Sequence, residues 1–267
     1  MIGNNRTWTD RTAILVDLDE TLIADQAATK TAIAETVTLA HQRYGIDRAQ
    51  CTKDVWRRAV ELWSKSPTYG YCQYIGISAW EGLWGRFAGK DAGLHALAQW
   101  MPTFQLAVWQ YGLQSQGVND DAFAQELMDS FQRHRRATHI VFPEVVSVLQ
   151  SLRQRYRIAI VTNGAPDLQQ EKIAGARLGE YFDVIVISGQ VGHGKPDPRV
   201  FQSALSQLGV TASEAVMVGD NAMRDIGGAQ DMGIGGIWVR REQQLCPPAI
   251  SPNATINSLT EIAELLS

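Results

Sequence analysis

The stretch AILVDLDETL, residues 13–22, decides how this chain is read. Its opening, AILVDLD (13–19), is a short apolar run that ends in acids. An apolar run of this length is what a strand buried on both faces looks like. Side chains alternate along an extended strand, so Asp17 and Asp19 face one side of its exit, with Thr21 just beyond. Two carboxylates placed together resist ionisation unless a cation or a reacting proton uses them. A Mg²⁺ site with a nucleophilic carboxylate accounts for the pair, and so does a strand that runs out into solvated acids. These ten residues alone leave both open.

Four more apolar, Val/Ile-rich runs follow: RIAIVTN (157–163), DVIVISG (183–189), AVMVGD (215–220) and GIWVR (236–240). Between them, DLQQEKIAGARLG and PRVFQSALSQLG repeat apolar residues at helical spacing and end in glycine. The last residues, SLTEIAELLS, predict a closing amphipathic helix begun at Ser258. Strand alternating with helix predicts an α/β protein with a doubly wound, Rossmann-like parallel sheet.

Residues 25–140 follow another pattern. Helical stretches such as ATKTAIAETVTLAHQRYG and DDAFAQELMDSFQRHRR dominate, and six of the eight tryptophans (Trp56, Trp63, Trp80, Trp84, Trp100, Trp109) fall here. A block this long is no loop of a compact sheet domain. The chain is therefore divided into 1–24 (core, first strand), 25–140 (an all-helical insertion) and 141–267 (core). Segments near 23–26 and 138–143 are the expected hinges, with Pro143 stiffening the return. The Tyr- and Gly-rich stretch SPTYGYCQYIGISAW (66–80) is expected to be a helix–helix connection packed with aromatics rather than a substrate-facing loop.

Ligands of open parallel sheets bind outside the carboxyl ends of strands. There the chain offers Asp17 and Asp19; then Thr162, Asn163 and Gly164; then Lys195 in GHGKPDP; then Gly219 and Asp220, with Asp225 five residues on in GDNAMRD. Oxygen ligands suit Mg²⁺, and a hydroxyl, backbone amides and a lysine suit a phosphoryl group.

In order and identity these pieces resemble the four motifs of the haloacid dehalogenase (HAD) superfamily: DLDET, VTNG, the lysine of GKPDP, and GDNAMRD. The resemblance covers residues 12–24 and about 141–245. It implies that Asp17 is the nucleophile and forms an aspartyl-phosphate, and that Asp19 is the general acid and base. Mg²⁺ is then held by the Asp17 carboxylate, the Asp19 backbone carbonyl and Asp220, with Asp225 behind, acting through water or by orienting Lys195. Thr162 and Lys195 bind the phosphoryl oxygens, assisted by the amide of Asn163 or Gly164. The family's insertion between the first and second motifs is the helical C1 cap; about 140 residues separate Asp19 from Thr162 here, and 32 lie between Thr162 and Lys195.

The family implies a Mg²⁺-dependent phosphomonoesterase acting on a small phosphate ester. In the dehalogenase branch another residue replaces the second acid, so Asp19 favours a phosphatase. A phosphomutase is the runner-up; a 2-haloacid dehalogenase or a non-catalytic phosphometabolite-binding module is less favoured. VTNGAPDLQQEKI followed by YFDVIVISGQVGHGKPDPRVF looks like the branch of the N-acylneuraminate-9-phosphatases and pyrimidine nucleotidases, with phosphoglycolate phosphatases nearby. A sugar phosphate or nucleoside monophosphate is the expected substrate.

Composition narrows the partners. The net charge is −4, which does not suggest a nucleic-acid surface. The cluster Arg133, His134, Arg135, Arg136 is expected to be a solvated helix end, and neither it nor His139 is expected at substrate. Cys51, Cys72 and Cys246 are far apart, and no apolar run reaches a membrane span. With a polar N-terminus that lacks an apolar h-region, the expectation is a cytoplasmic protein, monomer or homodimer, with no membrane partner.

Overall fold

The structure is a computed structural model that describes residues 8, 10–241 and 245–266; the N-terminal signal-peptide reading and the last residue of the closing helix lie outside them. The chain forms two compact units. The first takes the described parts of Met1–Ala24 and Arg177–Ser267 together with Val141–Asn163; the second takes Asp25–Ile140 and Gly164–Ala176.

The first unit is built on a six-stranded sheet. Its strands are β1 (Ala13–Val16), β2 (Arg157–Thr162), β3 (Val184–Ile187), β4 (Ala215–Gly219), β5 (Gly235–Val239) and β6 (Ala254–Ile256), in the order 3-2-1-4-5-6. Every pairing is parallel. Strand order reverses at β1, which is the switch point where such sheets bind ligands. Val16 pairs with Ile160 on one side and Val218 on the other, so β1, β2 and β4 run out at nearly one level. β1 and β4 are buried throughout, as their unbroken apolar runs require. β6 is the strand the sequence did not signal: of its three residues only Ile256 is buried, and no apolar run marks it. From Ser258 the chain forms a 3₁₀ turn, Leu259–Glu261, and then a short helix, Ile262–Leu265, opened by a capping box between Ser258 and Glu261.

The second unit is helical. It comprises α1 (Asp25–Tyr44), α2 (Arg48–Trp63), α3 (Tyr69–Ile75), α4 (Ala79–Gly82), α5 (Ala92–Gln114) and α6 (Asp121–Ala137). After α7 (Val145–Leu152) in the sheet unit, α8 (Pro166–Gly175) returns to it, although the sequence reading counted these residues with the core. Asp47, Asp91 and Asp120 cap α2, α5 and α6 by accepting from first-turn amides. Trp84, Trp109, Phe104 and Phe131 fill the interior; Trp56, Trp80 and Trp100 pack against it half-buried. The stretch 66–80 forms two short helices, with Cys72 and Ile75 inward and Gly76 left-handed at the break between them.

One expectation fails here. Arg135 is 1 % exposed and ion-pairs with Asp25; Arg136 is half-buried, pairs with Glu171 at 3.2 Å and donates to the Trp84 carbonyl. Phe123, Leu127, Phe131 and Arg135 follow one another at i, i+4, so the inward face of α6 carries the arginine with it. Arg133 alone of the run is exposed.

Candidate active site

Asp17 continues the sheet one residue past β1, its amide donating to Val218 O at 2.9 Å. The chain then turns tightly. Leu22 and Ile23 amides donate to Leu18 O, and the Glu20 amide, at φ +58°, donates to Ile23 O at 2.8 Å. This turn leaves Asp19 half-buried and folds Thr21 fully inside. Thr21 Oγ1 accepts from the Asp220 amide at 3.0 Å and lies 3.4 Å from Asp220 Oδ1. Trp238, from β5, donates to the Asp220 carbonyl at 2.7 Å. Where the chain leaves and re-enters this unit, Ile23 forms an antiparallel bridge with Val141, and the Phe142 amide donates to Leu22 O.

Beyond β4 a π-helical turn, Ala222–Gly227, brings Asp225 back over the strand end. Its Oδ2 accepts from the Asn221 amide at 2.9 Å. Gly219 is required here, because a Cβ at that position would lie 2.2 Å from Asp225 Oδ2.

Lys195 completes the cluster. Its Nζ lies 2.7 Å from Asp17 Oδ1 and 2.6 Å from Asp225 Oδ1. Asn163 fixes its backbone from both sides: Oδ1 accepts from the Lys195 amide at 2.7 Å, and Nδ2 donates to the Lys195 carbonyl at 3.0 Å. The Asn163 side chain is thus a clamp on Lys195, a role the sequence did not suggest. Thr162, 1 % exposed, ends β2 beside Ile187. Gly164, at φ +144°, begins the stretch that belongs to the helical unit, where a Cβ would meet Gln169 at 2.9 Å.

Asp17, Asp220 and Asp225 each offer a carboxylate oxygen, all within 4.8 Å of one another. Burial pushes the Asp17 carboxyl up to about 6, with Lys195 opposing and the Asp225 charge adding to the rise. Burial, then the Asp17 and Asp225 charges, push Asp220 up to about 8. Burial alone would lower the Lys195 ammonium; its two carboxylate partners outweigh that and raise it. Three carboxylates against one ammonium leave an excess of negative charge, and oxygen donors so placed fit a hard divalent cation. Asp19 is not one of the three; the family resemblance implies its backbone carbonyl as the ligand. Thr21 and Trp238, which set Asp220, were not found from sequence as holders of the site. Thr21 had a signal, a hydroxyl two residues past Asp19; Trp238 had none.

A doubly wound sheet that gathers carboxylates and a lysine at its switch point defines an α/β protein with an electrostatically built centre. The chain belongs to the haloacid dehalogenase-like hydrolases, whose family model matches residues 12–233. Among curated relatives, a phosphoserine phosphatase of Thermus thermophilus is 37% identical over 93% of this chain and 96% of its own length. The N-acylneuraminate-9-phosphatase of Mus musculus is 25% identical over 95% and 93%. The pyrimidine 5'-nucleotidase YjjG of Escherichia coli is 39% identical over 46% of this chain and 56% of its own. Among solved structures, the HAD-hydrolase YfnB of Bacillus subtilis, bound to magnesium, shares the fold with TM-score 0.63 and 21% identity, covering 96% of this chain and 99% of that one. With phosphatases as its relatives, the protein is a phosphoric monoester hydrolase. No helix among the described residues is long and apolar enough to cross a membrane.

Proposed function

We propose that this protein is a Mg²⁺-dependent phosphatase of a small phosphorylated metabolite, with L-phosphoserine the first substrate to test. The observation that carries the reaction is the Lys195 ammonium seated between Asp17 and Asp225, with Asp220 alongside. Support for the substrate is one likeness that is both long and high. The match to the phosphoserine phosphatase spans 93% of the chain at 37% identity, against 25% over 95% for the N-acylneuraminate-9-phosphatase, while the nucleotidase match covers under half the chain. This moves the choice from the sugar phosphate or nucleotide that the core motifs favour to a phosphorylated amino acid.

Asp17, Asp220 and the Asp19 carbonyl would hold the cation, with Asp225 behind. When bound, it supplies charge neutralisation between nucleophile and phosphate. Asp17 attacks phosphorus, its Oδ–P bond forming as the ester P–O bond breaks. Asp19 protonates the leaving alkoxide, then accepts a proton from the water that hydrolyses the aspartyl-phosphate, releasing phosphate and restoring Asp17. Thr162 and Lys195 hold the phosphoryl oxygens, with the amide of Asn163 or Gly164 assisting, and Lys195 gathers charge as it develops. The helical segment 25–140 acts as the cap that shields this chemistry from bulk water.

The test is hydrolysis of L-phosphoserine, N-acylneuraminate 9-phosphate, pyrimidine nucleoside monophosphates and p-nitrophenyl phosphate, ranked by kcat/KM with Mg²⁺. L-phosphoserine leading, with turnover lost in EDTA, supports the reading. Full turnover in Asp17→Asn refutes the nucleophile, and a nucleotide ranking first refutes the substrate.

A further inference from the structure

The interior of the helical unit holds an ion cluster that the chemistry above does not use. Lys172, on α8, is completely buried; its Nζ donates to Glu81 Oε1 at 3.0 Å and lies 3.4 Å from Asp25 Oδ1. Arg135 donates to the same Asp25 oxygen, to Thr29 Oγ1 at 3.0 Å and to Thr138 O at 3.1 Å. Its guanidinium lies over the Trp84 ring, 4.5 Å from the centroid. Burial works to raise the Asp25 carboxyl, but Lys172 and Arg135 outweigh it and hold it below its usual value, so the acid is ionised. Apolar side chains of equal volume would hold helices together at least as well as buried ions do, so cohesion alone does not account for the cluster. Ions differ in fixing one arrangement by direction and distance.

What they fix is set by their places along the chain. It crosses between the two units at 24/25, 140/141, 163/164 and 176/177. Asp25 is the first residue of α1, six residues after Asp19. Arg135 lies in the last turn of α6, just before the second crossing. Lys172 sits on α8, whose segment begins directly after Thr162 and Asn163 and ends at the fourth crossing. One buried cluster therefore holds the element next to every crossing. α8 is fastened to the same unit twice more, by Glu171–Arg136 at 3.2 Å and by the Ala88 amide donating to Asp167 Oδ2 at 2.8 Å.

We propose that Asp25, Arg135, Lys172 and Glu81 form a positioning device for the hydrolysis: Lys172 joins the chain leaving the phosphate-binding turn Thr162–Gly164 to the same rigid body as the chain leaving Asp17 and Asp19. The proposal rests on the phosphatase reading. Lys172 touches no reacting atom; it acts through α8 on the turn, whose misplacement by about 1 Å is enough to cost two orders of magnitude in rate.

The test compares wild type with Lys172→Met/Glu81→Gln, which removes one charge of each sign and leaves the Asp25–Arg135 pair in place, so that no buried ion is orphaned. Three quantities are read: melting temperature, kcat/KM for p-nitrophenyl phosphate, and the inhibition constant of inorganic phosphate. The expected result is a melting temperature within a few degrees of wild type, with kcat/KM down about tenfold or more and phosphate inhibition weakened in parallel. Lys172→Arg, which keeps the charge, recovers part of both. A lowered melting temperature with kcat/KM and phosphate inhibition of the folded fraction unchanged overturns the proposal, as does a double variant equal to wild type. A wild type that neither turns over p-nitrophenyl phosphate nor binds inorganic phosphate overturns the phosphatase reading, and this inference with it.

Discussion

Lys195 touches two carboxylates at once, at 2.7 and 2.6 Å, so substitutions around it separate chemistry from structure. Asp17→Asn keeps the volume and an acceptor for the lysine while removing the nucleophile; kcat falls by on the order of 10³ or more with the circular dichroism spectrum unchanged. Gly219→Ala is the sharper probe. Its methyl cannot coexist with Asp225 Oδ2 at 2.2 Å, so Asp225 moves and takes its hold on Lys195 with it. The Mg²⁺ concentration for half-maximal activity rises about 10- to 100-fold, as when a group supporting a metal ligand is lost; an unchanged requirement shows that Asp225 does not support the site. Asp17, Lys195 and Asp220, which the structure brings together, were legible because each ends an apolar run or sits in a short motif. The contacts that aim them were not. Thr21 meets Asp220 across 199 residues, and Asn163 meets Lys195 across 32; no local pattern encodes either pairing.

At the scale of elements, strands with unbroken apolar runs declared themselves, and β6, with one buried residue, did not. The last turn of α6 shows how a reading by residue type goes astray. Four basic or ionisable residues in a row look solvated, yet the period set by Phe123, Leu127 and Phe131 carries Arg135 inward, where Asp25 meets it. That partner, 110 residues away, is what makes burial possible, and only the fold supplies it. Asp25→Asn removes the carboxylate shared by Arg135 and Lys172, and destabilises the helical unit by about 3–5 kcal/mol in urea at pH 7. Because the Asp25 carboxyl is held below its usual value, its stabilisation is complete above the ordinary carboxylate range. It is lost as pH falls below about 4, through the lower folded value. The gap between wild type and Asp25→Asn therefore narrows toward pH 3; a gap independent of pH removes the charge from the explanation.

For the whole molecule, two compact units carry different burdens: one gathers the carboxylates, the other most of the indole rings. Burial, with neighbouring carboxylate charges adding to it, raises the Asp17 and Asp220 carboxyls and so opposes folding of the sheet unit at neutral pH, which a divalent cation would relieve by binding the folded form alone. At a free concentration of about 100 Kd the gain is about 2.7 kcal/mol. All the proposed ligands come from β1, β4 and the turns that follow them, so this gain belongs to the sheet unit. Trp56, Trp63, Trp80, Trp84, Trp100 and Trp109 all report on the other. Mg²⁺ should therefore raise the calorimetric transition of the sheet unit in wild type, and much less in Asp220→Asn. If the units melt separately, the part of the tryptophan-fluorescence transition that comes from those six rings stays in place, while Trp238 follows the sheet unit; if they melt together, both probes rise by the same amount. A rise equal in wild type and Asp220→Asn would mean that the cation binds elsewhere, and that the carboxylates at the switch point are not its ligands.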